Sequence, residues 1–183
     1  IDRRPEEVMK LTSIRLHPFG GTADRTYTLR DGLNILDGPN EFGKSTLSHA
    51  LWNALFTPTN LTPAKLRDTV GRWYPQPGGD HARVTLHFEA EGKAWTLEKS
   101  WGGRTVAASR LQGTGVPAIA DPDRVQVKLN ELLRLNEATW SRVLFTRQAE
   151  LARTLEALRY NADKIDDVHG LLKGAAAIPG DIA

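Results

Sequence analysis

The stretch GPNEFGKST, residues 38–46, constrains what this chain can fold into and bind more than any other feature. It matches the pattern G-x-x-x-x-G-K-[ST], whose two glycines allow turn conformations that point successive backbone N–H groups at one anion. A helix that begins at the lysine adds the positive end of its dipole at the same place. We therefore expect this stretch, called the glycine-rich loop below, to bind the phosphates of a nucleotide.

The residues on either side of the glycine-rich loop fit this expectation. The apolar run LNIL, residues 33–36, predicts a strand before the loop. Residues 44–56 predict a helix after it, with one apolar stripe at helical spacing: Leu47, Ala50, Leu51, Ala54 and Leu55. In a loop of this kind Lys44 reaches the β- and γ-phosphates, and the hydroxyl of Ser45 ligates Mg²⁺.

The bulk composition is that of an ordinary globular chain. Its 183 residues suit one domain, or one domain with a short extension. The absence of cysteine rules out disulfides and thiolate metal sites, and it fits the reducing cytoplasm. No apolar run approaches the ~18 residues of a membrane span and no signal peptide is visible, so we expect no membrane partner. A net charge of +2 does not by itself predict a nucleic-acid binder.

Apolar–polar alternation and turn signals predict that the first part of the chain is rich in strands. The predicted strands cover residues 11–16, 25–29, 82–88, 94–99 and 105–111. Asp31-Gly32 and Glu91-Gly92 are turn signals of the hairpin type. Short helices are predicted at residues 64–70 and 140–145, and a longer one, capped by Asp123, runs through residue 135.

The segment from residue 148 onward shows a heptad spacing of apolar positions. These positions are Leu151, Leu155, Leu158, Ala162, Ile165, His169 and Leu172. Spacings that alternate between four and three residues are typical of a coiled-coil seam, here weakened by the alanine and the histidine. A single amphipathic helix packed on its own domain would show the same pattern, and three heptads do not decide between the two.

The order of these pieces resembles that of the SMC-like DNA-repair ATPases, in particular the bacterial SbcC and YhaN group. The runs MKLTSIRLHPFG and DGLNILDGPNEFGKSTLSHALWNALF look like the family's first strand, its GLN strand and its G-x-N-E-x-G-K-S-T loop. The run YPQPGGDHARVTLHFEAEGKAWTLEKSW is similar to the family's Gly-Gly turn, two strands and basic residue, here Lys99. The run WSRVLFTRQAEL resembles the segment that carries the Q-loop glutamine, here Gln148.

The resemblance implies a set of site residues. ATP and Mg²⁺ would be bound by the glycine-rich loop (Walker A) through Gly38, Asn40, Glu41, Phe42, Gly43, Lys44, Ser45 and Thr46. Ser45 and Gln148 would contact the metal. Lys44 and Gln148 would take part in catalysis. The amide of Gln148 suits this role, because it can both donate to and accept from an attacking water.

The resemblance also implies a fold class and a domain order. The fold would be α/β, an ABC-type P-loop ATPase head lobe with a β-rich N-terminal part, a helical part and the start of a coiled coil. Met9 is the single methionine, so residues 1–8 would be a cloning remnant or a dispensable extension, unless Met9 is internal to a longer chain. Residues 9–147 would form the lobe, 148–173 the Q-loop and coiled-coil root, and 174–183 a tail.

In this family the ATPase is split, and the C-terminal half carries the signature motif, an acidic metal-binding strand with a catalytic Glu, and a switch histidine. The chain shows none of these motifs; VPAIAD at 116–121 contains a proline, and DVHG at 167–170 lies inside the heptad segment. We therefore expect this chain to bind ATP and Mg²⁺ without hydrolysing ATP, because phosphoryl transfer needs an oriented water and a positioned metal.

The implied partners follow from the same resemblance. They are the C-terminal half of the ATPase, a second head that closes on ATP as a homodimer, and DNA that is repaired or processed. A nuclease subunit is implied by the SbcC-like relatives only, by analogy. The alternatives are a self-contained small P-loop kinase or NTPase, and a nucleotide-gated scaffold that never hydrolyses ATP.

Overall fold

The structure is a computed structural model that describes residues 9–39, 43–75, 77–103 and 105–134. The chain divides into two units, residues 1–136 and 137–183, and all described residues belong to the first. Within the described part, no helix is long and apolar enough to cross a membrane. The predicted Gln148, the heptad segment and the helix at 140–145 lie outside the described residues and stay predictions.

The described residues form five strands and three α-helices. The strands are β1 (Lys10–His17), β2 (Arg25–Thr28), β3 (His81–Ala90), β4 (Lys93–Gly102) and β5 (Ala108–Gly113). The helices are α1 (Lys44–Phe56), α2 (Pro63–Thr69) and α3 (Pro122–Leu133), and a short 3-10 helix (Gly71–Trp73) follows α2. Each predicted strand of the N-terminal part is confirmed, apart from the run before the glycine-rich loop.

The five strands form one antiparallel sheet in the order β2-β1-β3-β4-β5. The β3–β4 hairpin turns at Glu91 and Gly92, whose φ angles of 52° and 68° are both positive. Two positive φ angles match the right-handed twist of the flanking strands, which explains why the Glu-Gly pair closes this hairpin. The fold is mixed α/β, compatible with the head lobe of an ATPase.

One face of the sheet forms the core with α1 and α3. Alternate strand residues point to this face, and its buried members include Leu16, Val84, Leu86, Leu97, Trp101 and Leu111. The helices contribute Ala50, Ala54, Leu55, Val125 and Leu129. The opposite face carries polar and charged side chains such as Arg15, Arg83 and Glu98. The alternation therefore orients the sheet, and it places α1 on the apolar face.

Two expectations about local structure are wrong. Residues 33–36 do not form a strand, and the side chains of Leu33 and Ile35 are 86% and 79% exposed. A strand needs a neighbour for its backbone, and no described strand pairs with this run. Asp123 does not cap α3; Asp121 does, accepting the backbone N–H of Arg124 at 2.9 Å.

Candidate functional site

The glycine-rich loop leads into α1 through Gly43, which is the N-cap residue of the helix. Gly43 adopts the left-handed conformation, with φ 85° and ψ 14°. A Cβ added there would lie 2.8 Å from Oγ1 of Thr22, closer than real Cβ contacts. Both the backbone conformation and the close approach of Thr22 therefore require glycine at this position.

The amino end of α1 differs from those of the other two helices. Thr62 caps α2 and Asp121 caps α3 with their side chains. Within the described residues, α1 has no side-chain cap and no acidic residue in its first turn. The first N–H groups of a helix have no partner within the helix, so the amino end of α1 can donate to an external anion.

The side chain of Lys44 lies over the glycine-rich loop. Its Nζ donates to the carbonyl oxygens of Gly38 and Pro39, the second at 3.0 Å. The N–H of Gly38 in turn donates to Oδ1 of Asp37 at 2.8 Å. A half-buried ammonium thus lies beside a loop that ends at the positive end of a helix, and this arrangement can bind an anion of high charge.

Ser45 and Thr46 occupy the first turn of α1, where Ser45 is exposed and Thr46 is half-buried. A serine hydroxyl is an oxygen ligand of the kind that Mg²⁺ takes. The described residues contain no group of three His, Asp or Glu side chains that could hold a metal ion. The Ser45 hydroxyl could supply one ligand to a Mg²⁺ ion, which commonly takes its other ligands from phosphates and water.

Trp73 packs against the turn at residues 19–22, which contacts Gly43 through Thr22. Its backbone oxygen accepts the N–H of Gly20 at 2.6 Å, and a Cβ on Gly20 would lie 3.2 Å from its indole ring. The ring stacks on Phe19 at 5.7 Å between centroids and lies 4.6 Å from the ring of His49 on α1. Trp73 therefore connects the 3-10 helix, of which it is the last residue, to α1. Its ring is packed and is not an open surface on which a nucleic-acid base could stack.

The carboxyl end of α1 is held by side chains from the sheet and from α3. Lys99 of β4 donates to the backbone oxygen of Thr57 at 3.0 Å and to Oε1 of Gln126 at 2.9 Å. Nε1 of Trp101 donates to the backbone oxygen of Pro58 at 3.0 Å. Lys99 is only 1% exposed, and this burial lowers its pKa to about 7.

The burial of Lys99 is a feature that the sequence analysis missed. A signal was present, because Lys99 stands at an inward position of the alternation between Leu97 and Trp101. Arg15, by contrast, lies on the open face of the sheet, where its guanidinium pairs with both carboxylate oxygens of Asp24 at 2.9 and 2.7 Å. Arg15 is thus a paired surface residue of β1.

The structure brings together five of the predicted site residues. Gly38 begins the loop, and Gly43, Lys44, Ser45 and Thr46 end it at α1, with Lys44 folded back onto Gly38. Asn40, Glu41, Phe42 and Gln148 lie outside the described residues. The nucleotide-binding roles given to all of these residues stay predictions.

Comparison with known proteins finds sequence similarity to DNA-repair ATPases. A family model described as an AAA domain matches residues 9–67, which include the glycine-rich loop and α1. A DNA double-strand break repair Rad50 ATPase of Halobacterium salinarum is 28% identical over 81% of this chain and 16% of its own length. Proteins of the same name from Methanosarcina acetivorans and Methanopyrus kandleri are 25% and 28% identical, over 87% and 88% of this chain.

These similarities confirm the resemblance to the SMC-like DNA-repair ATPases that the sequence motifs indicated. The aligned part extends well beyond the glycine-rich loop, so the similarity does not depend on that loop alone. The chain spans 16%, 15% and 18% of the length of these three relatives. The similarity therefore concerns one part of a much longer protein of that kind.

Proposed function

We propose that the chain binds ATP with Mg²⁺ through the glycine-rich loop and the first turn of α1, as part of an SMC-like ATPase that acts in DNA repair or DNA processing. The observation that carries the proposal is the amino end of α1. There an uncapped helix, a left-handed Gly43 and the ammonium of Lys44 converge on one loop. The similarity to ATPases named for double-strand break repair supports the same reading.

Each residue of the site has a distinct role in this proposal. The backbone N–H groups of residues 40–44 donate to the phosphates, and Lys44 exchanges the carbonyls of Gly38 and Pro39 for phosphate oxygens. The hydroxyl of Ser45 ligates Mg²⁺, which neutralises phosphate charge when bound. Gln148 contacts the metal or orients a water, in the role that the resemblance assigns to it.

Hydrolysis in this proposal requires the C-terminal half of the ATPase and a second head. The described residues supply no acidic cluster that could hold a metal in place of the phosphates. The apolar side chains of Leu33 and Ile35, just before the loop, are exposed. Their exposure supports the proposal that another segment covers them in the complete ATPase. We propose that the run 33–36 becomes a strand when a segment of the C-terminal half pairs with it, which would bury both side chains.

The wider setting of the proposal rests on the resemblance. DNA is the expected substrate, a second copy of the head is the expected partner on ATP, and a nuclease subunit is expected by analogy with the SbcC-like relatives. The cytoplasmic location belongs to the same set of proposals. The division into a lobe at 9–147 and a Q-loop with a coiled-coil root at 148–173 is proposed on the same ground.

The proposal is tested by measuring the binding of ATP·Mg²⁺ to the 183-residue chain by titration calorimetry. Lys44→Ala should weaken binding at least about tenfold, or 1.4 kcal/mol, because it removes the single side-chain cation of the loop. Lys93→Ala, which removes an exposed lysine from the β3–β4 hairpin, is the matched control and should leave the affinity unchanged. Equal affinity in the two variants would remove the glycine-rich loop from the proposal.

A phosphate-release assay on the same samples separates binding from hydrolysis. We expect no turnover by the chain alone, and turnover after addition of a C-terminal half, lost on Gln148→Ala while binding is retained. Steady hydrolysis by the chain alone that disappears in Lys44→Ala would instead favour a self-contained P-loop enzyme. Binding without turnover even in the completed protein would favour a nucleotide-gated scaffold.

A further inference from the structure

A lysine is buried in the core at the carboxyl end of α1, and the nucleotide chemistry proposed above does not use it. Lys99 lies on the apolar face of β4 and is 1% exposed. None of the ion pairs among the described residues includes it, and its two partners are neutral oxygens. Burying an ammonium without a carboxylate is unfavourable. A buried lysine of this kind therefore calls for a specific role.

The two partners of Lys99 belong to different elements. The backbone oxygen of Thr57 belongs to the residue that follows α1, and Oε1 of Gln126 belongs to α3. The amide of Gln126 then donates to the backbone oxygen of Leu55, in the last turn of α1, at 2.9 Å. Lys99 and Gln126 together thus link β4, α3 and the carboxyl end of α1 in one chain of hydrogen bonds.

The location of this link favours a cation. The carboxyl end of a helix carries a partial negative charge and carbonyl groups without partners in the helix. An ammonium has three donors, so it can satisfy carbonyl oxygens from two elements at once. A neutral side chain of similar length, such as methionine, would fill the space and make neither hydrogen bond. The amino group of Lys99, which donates to both elements, therefore fixes where α1 ends.

A helix is stiff along its axis, so fixing one end constrains the other. The 13 residues of α1 span about 20 Å at 1.5 Å per residue. The amino end of α1 carries Gly43 and Lys44 and holds the proposed phosphate site. Displacements of about 1 Å are enough to weaken a preorganised site.

We propose that Lys99 is a positioning residue for the phosphate site: through Thr57 and Gln126 it fixes the carboxyl end of α1 against β4 and α3, and so sets the position of the glycine-rich loop at the other end. The inference rests on the proposed nucleotide binding. Because α3 precedes the segment that carries Gln148, the same link joins α1 to the helix from which the chain continues toward that residue.

The test compares Lys99→Met, Gln126→Leu, the double variant and Trp101→Phe in the 183-residue chain. We expect Lys99→Met and Gln126→Leu each to weaken ATP·Mg²⁺ binding about fivefold at a temperature where circular dichroism shows them folded. The double variant should lose no more than the larger single effect, because both changes break the same link. Trp101→Phe removes the bond to Pro58, which lies beyond the C-cap residue Thr57 and outside the helix, and it should change the affinity by less than about twofold.

Amide hydrogen exchange without nucleotide provides an independent readout. Lys99→Met should speed exchange at residues 47–50, the first hydrogen-bonded amides at the far end of α1, and Trp101→Phe should not. A folded Lys99→Met variant with wild-type affinity and wild-type exchange at 47–50 would overturn the inference, as would an equal loss in Trp101→Phe. If Lys99→Met does not fold, Gln126→Leu decides both readouts. If the wild-type chain fails to bind ATP, the proposed function fails, and the exchange data still decide whether Lys99 positions α1.

Discussion

The two ends of α1 have opposite environments. At the carboxyl end, the backbone oxygens of Leu55, Thr57 and Pro58 accept hydrogen bonds from Gln126, Lys99 and Trp101. At the amino end, no described side chain caps the helix, and the ammonium of Lys44 lies over the glycine-rich loop. The carboxyl end is thus bound by the protein's own side chains, whereas the amino end keeps donors and a cation that a ligand can use.

This difference separates residues that hold the fold from residues that are kept for a ligand. Buried polar groups in a stable core are normally satisfied within the protein, as they are around Lys99 and Trp101. Helix amino ends are normally capped, as in α2 and α3. An uncapped amino end beside Lys44 departs from this rule, and such departures are characteristic of binding sites. Substitutions at the two ends should therefore have different consequences.

The largest expected effect is at the carboxyl end. Trp101→Ala should lower the free energy of unfolding by about 3–5 kcal/mol, because it removes a fully buried indole and leaves a cavity. Urea denaturation measures this change. Trp101→Phe, which keeps most of the volume but loses the bond to Pro58, should lower the free energy by about 1 kcal/mol. A loss below about 1 kcal/mol in Trp101→Ala would contradict the structural role of this end.

A smaller effect on stability is expected at the amino end. Gly43→Ala should lower the free energy of unfolding by about 1–2 kcal/mol from the left-handed backbone alone. The new Cβ would also meet Oγ1 of Thr22 at 2.8 Å, which adds to the loss. The same variant should weaken ATP·Mg²⁺ binding, because the strain displaces the N–H groups of the loop. Urea denaturation and calorimetry on one sample measure both changes.

Two further variants separate the causes of the Gly43 effect. Gly21→Ala adds a Cβ with nothing within 4 Å, at an ordinary φ, and should be neutral. Adding Thr22→Ala to Gly43→Ala should recover the part that is due to the clash and leave the part that is due to φ. If Gly43→Ala proves as stable as Gly21→Ala, the left-handed N-cap is not required, and the contrast between the two ends of α1 weakens.

Much of the fold could be predicted from local pattern. Alternation identified the paired strands, and the apolar stripe at helical spacing identified α1 with the bounds that the structure shows. The prediction of a strand at 33–36 was wrong because an apolar run shows what a segment can form, whereas a strand also needs a neighbouring strand to pair with. The prediction that Asp123 caps α3 was wrong, although the sequence held the signal. Proline favours the first helical position, so Pro122 makes Asp121 the N-cap.

The candidate site was predictable only in part. The pattern identified Lys44 and Ser45, because its chemistry depends on residues that are consecutive in sequence. The contact of Thr22 with Gly43 and the link from Lys99 to Gln126 join residues that are 21 and 27 positions apart. No local pattern encodes which carbonyl oxygen a buried ammonium will meet, so the carboxyl end of α1 could be described only from the structure.

The titration of Lys99 offers a sharper probe of the carboxyl end. Its pKa is lowered from 10.5 to about 7 by burial, so between these values the unfolded chain holds a proton that the folded chain lacks. The free energy of unfolding should therefore rise with pH through this window, by at most about 1.4 kcal/mol per pH unit. The difference between wild type and Lys99→Met isolates this slope in urea titrations at several pH values.

The pH window distinguishes Lys99 from His17 of β1, another group of the sheet whose pKa is lowered by burial. Burial lowers the pKa of His17 below its ordinary value of 6.5, so its contribution changes at lower pH. An equal pH slope in wild type and in Lys99→Met between pH 7 and pH 9 would show that Lys99 stays protonated in the fold. The positioning role would then involve a permanent cation.

The smallest expected effect is at the amino end of α3, which a side chain caps, unlike the amino end of α1. Asp121→Ala should lower the free energy of unfolding by about 1 kcal/mol, because the side chain accepts the N–H of Arg124 and carries a negative charge at the positive end of α3. Asp121→Asn keeps the acceptor and should lose only the charge contribution. Asp68→Ala, which changes an exposed aspartate on α2, is the matched control.

Because α3 also presents Gln126 to Lys99, Asp121→Ala should leave ATP binding unchanged if it merely frays the first turn. A binding loss as large as that of Gln126→Leu would instead mean that the whole of α3 moves with its cap, and that the position of α1 depends on both ends of its neighbour.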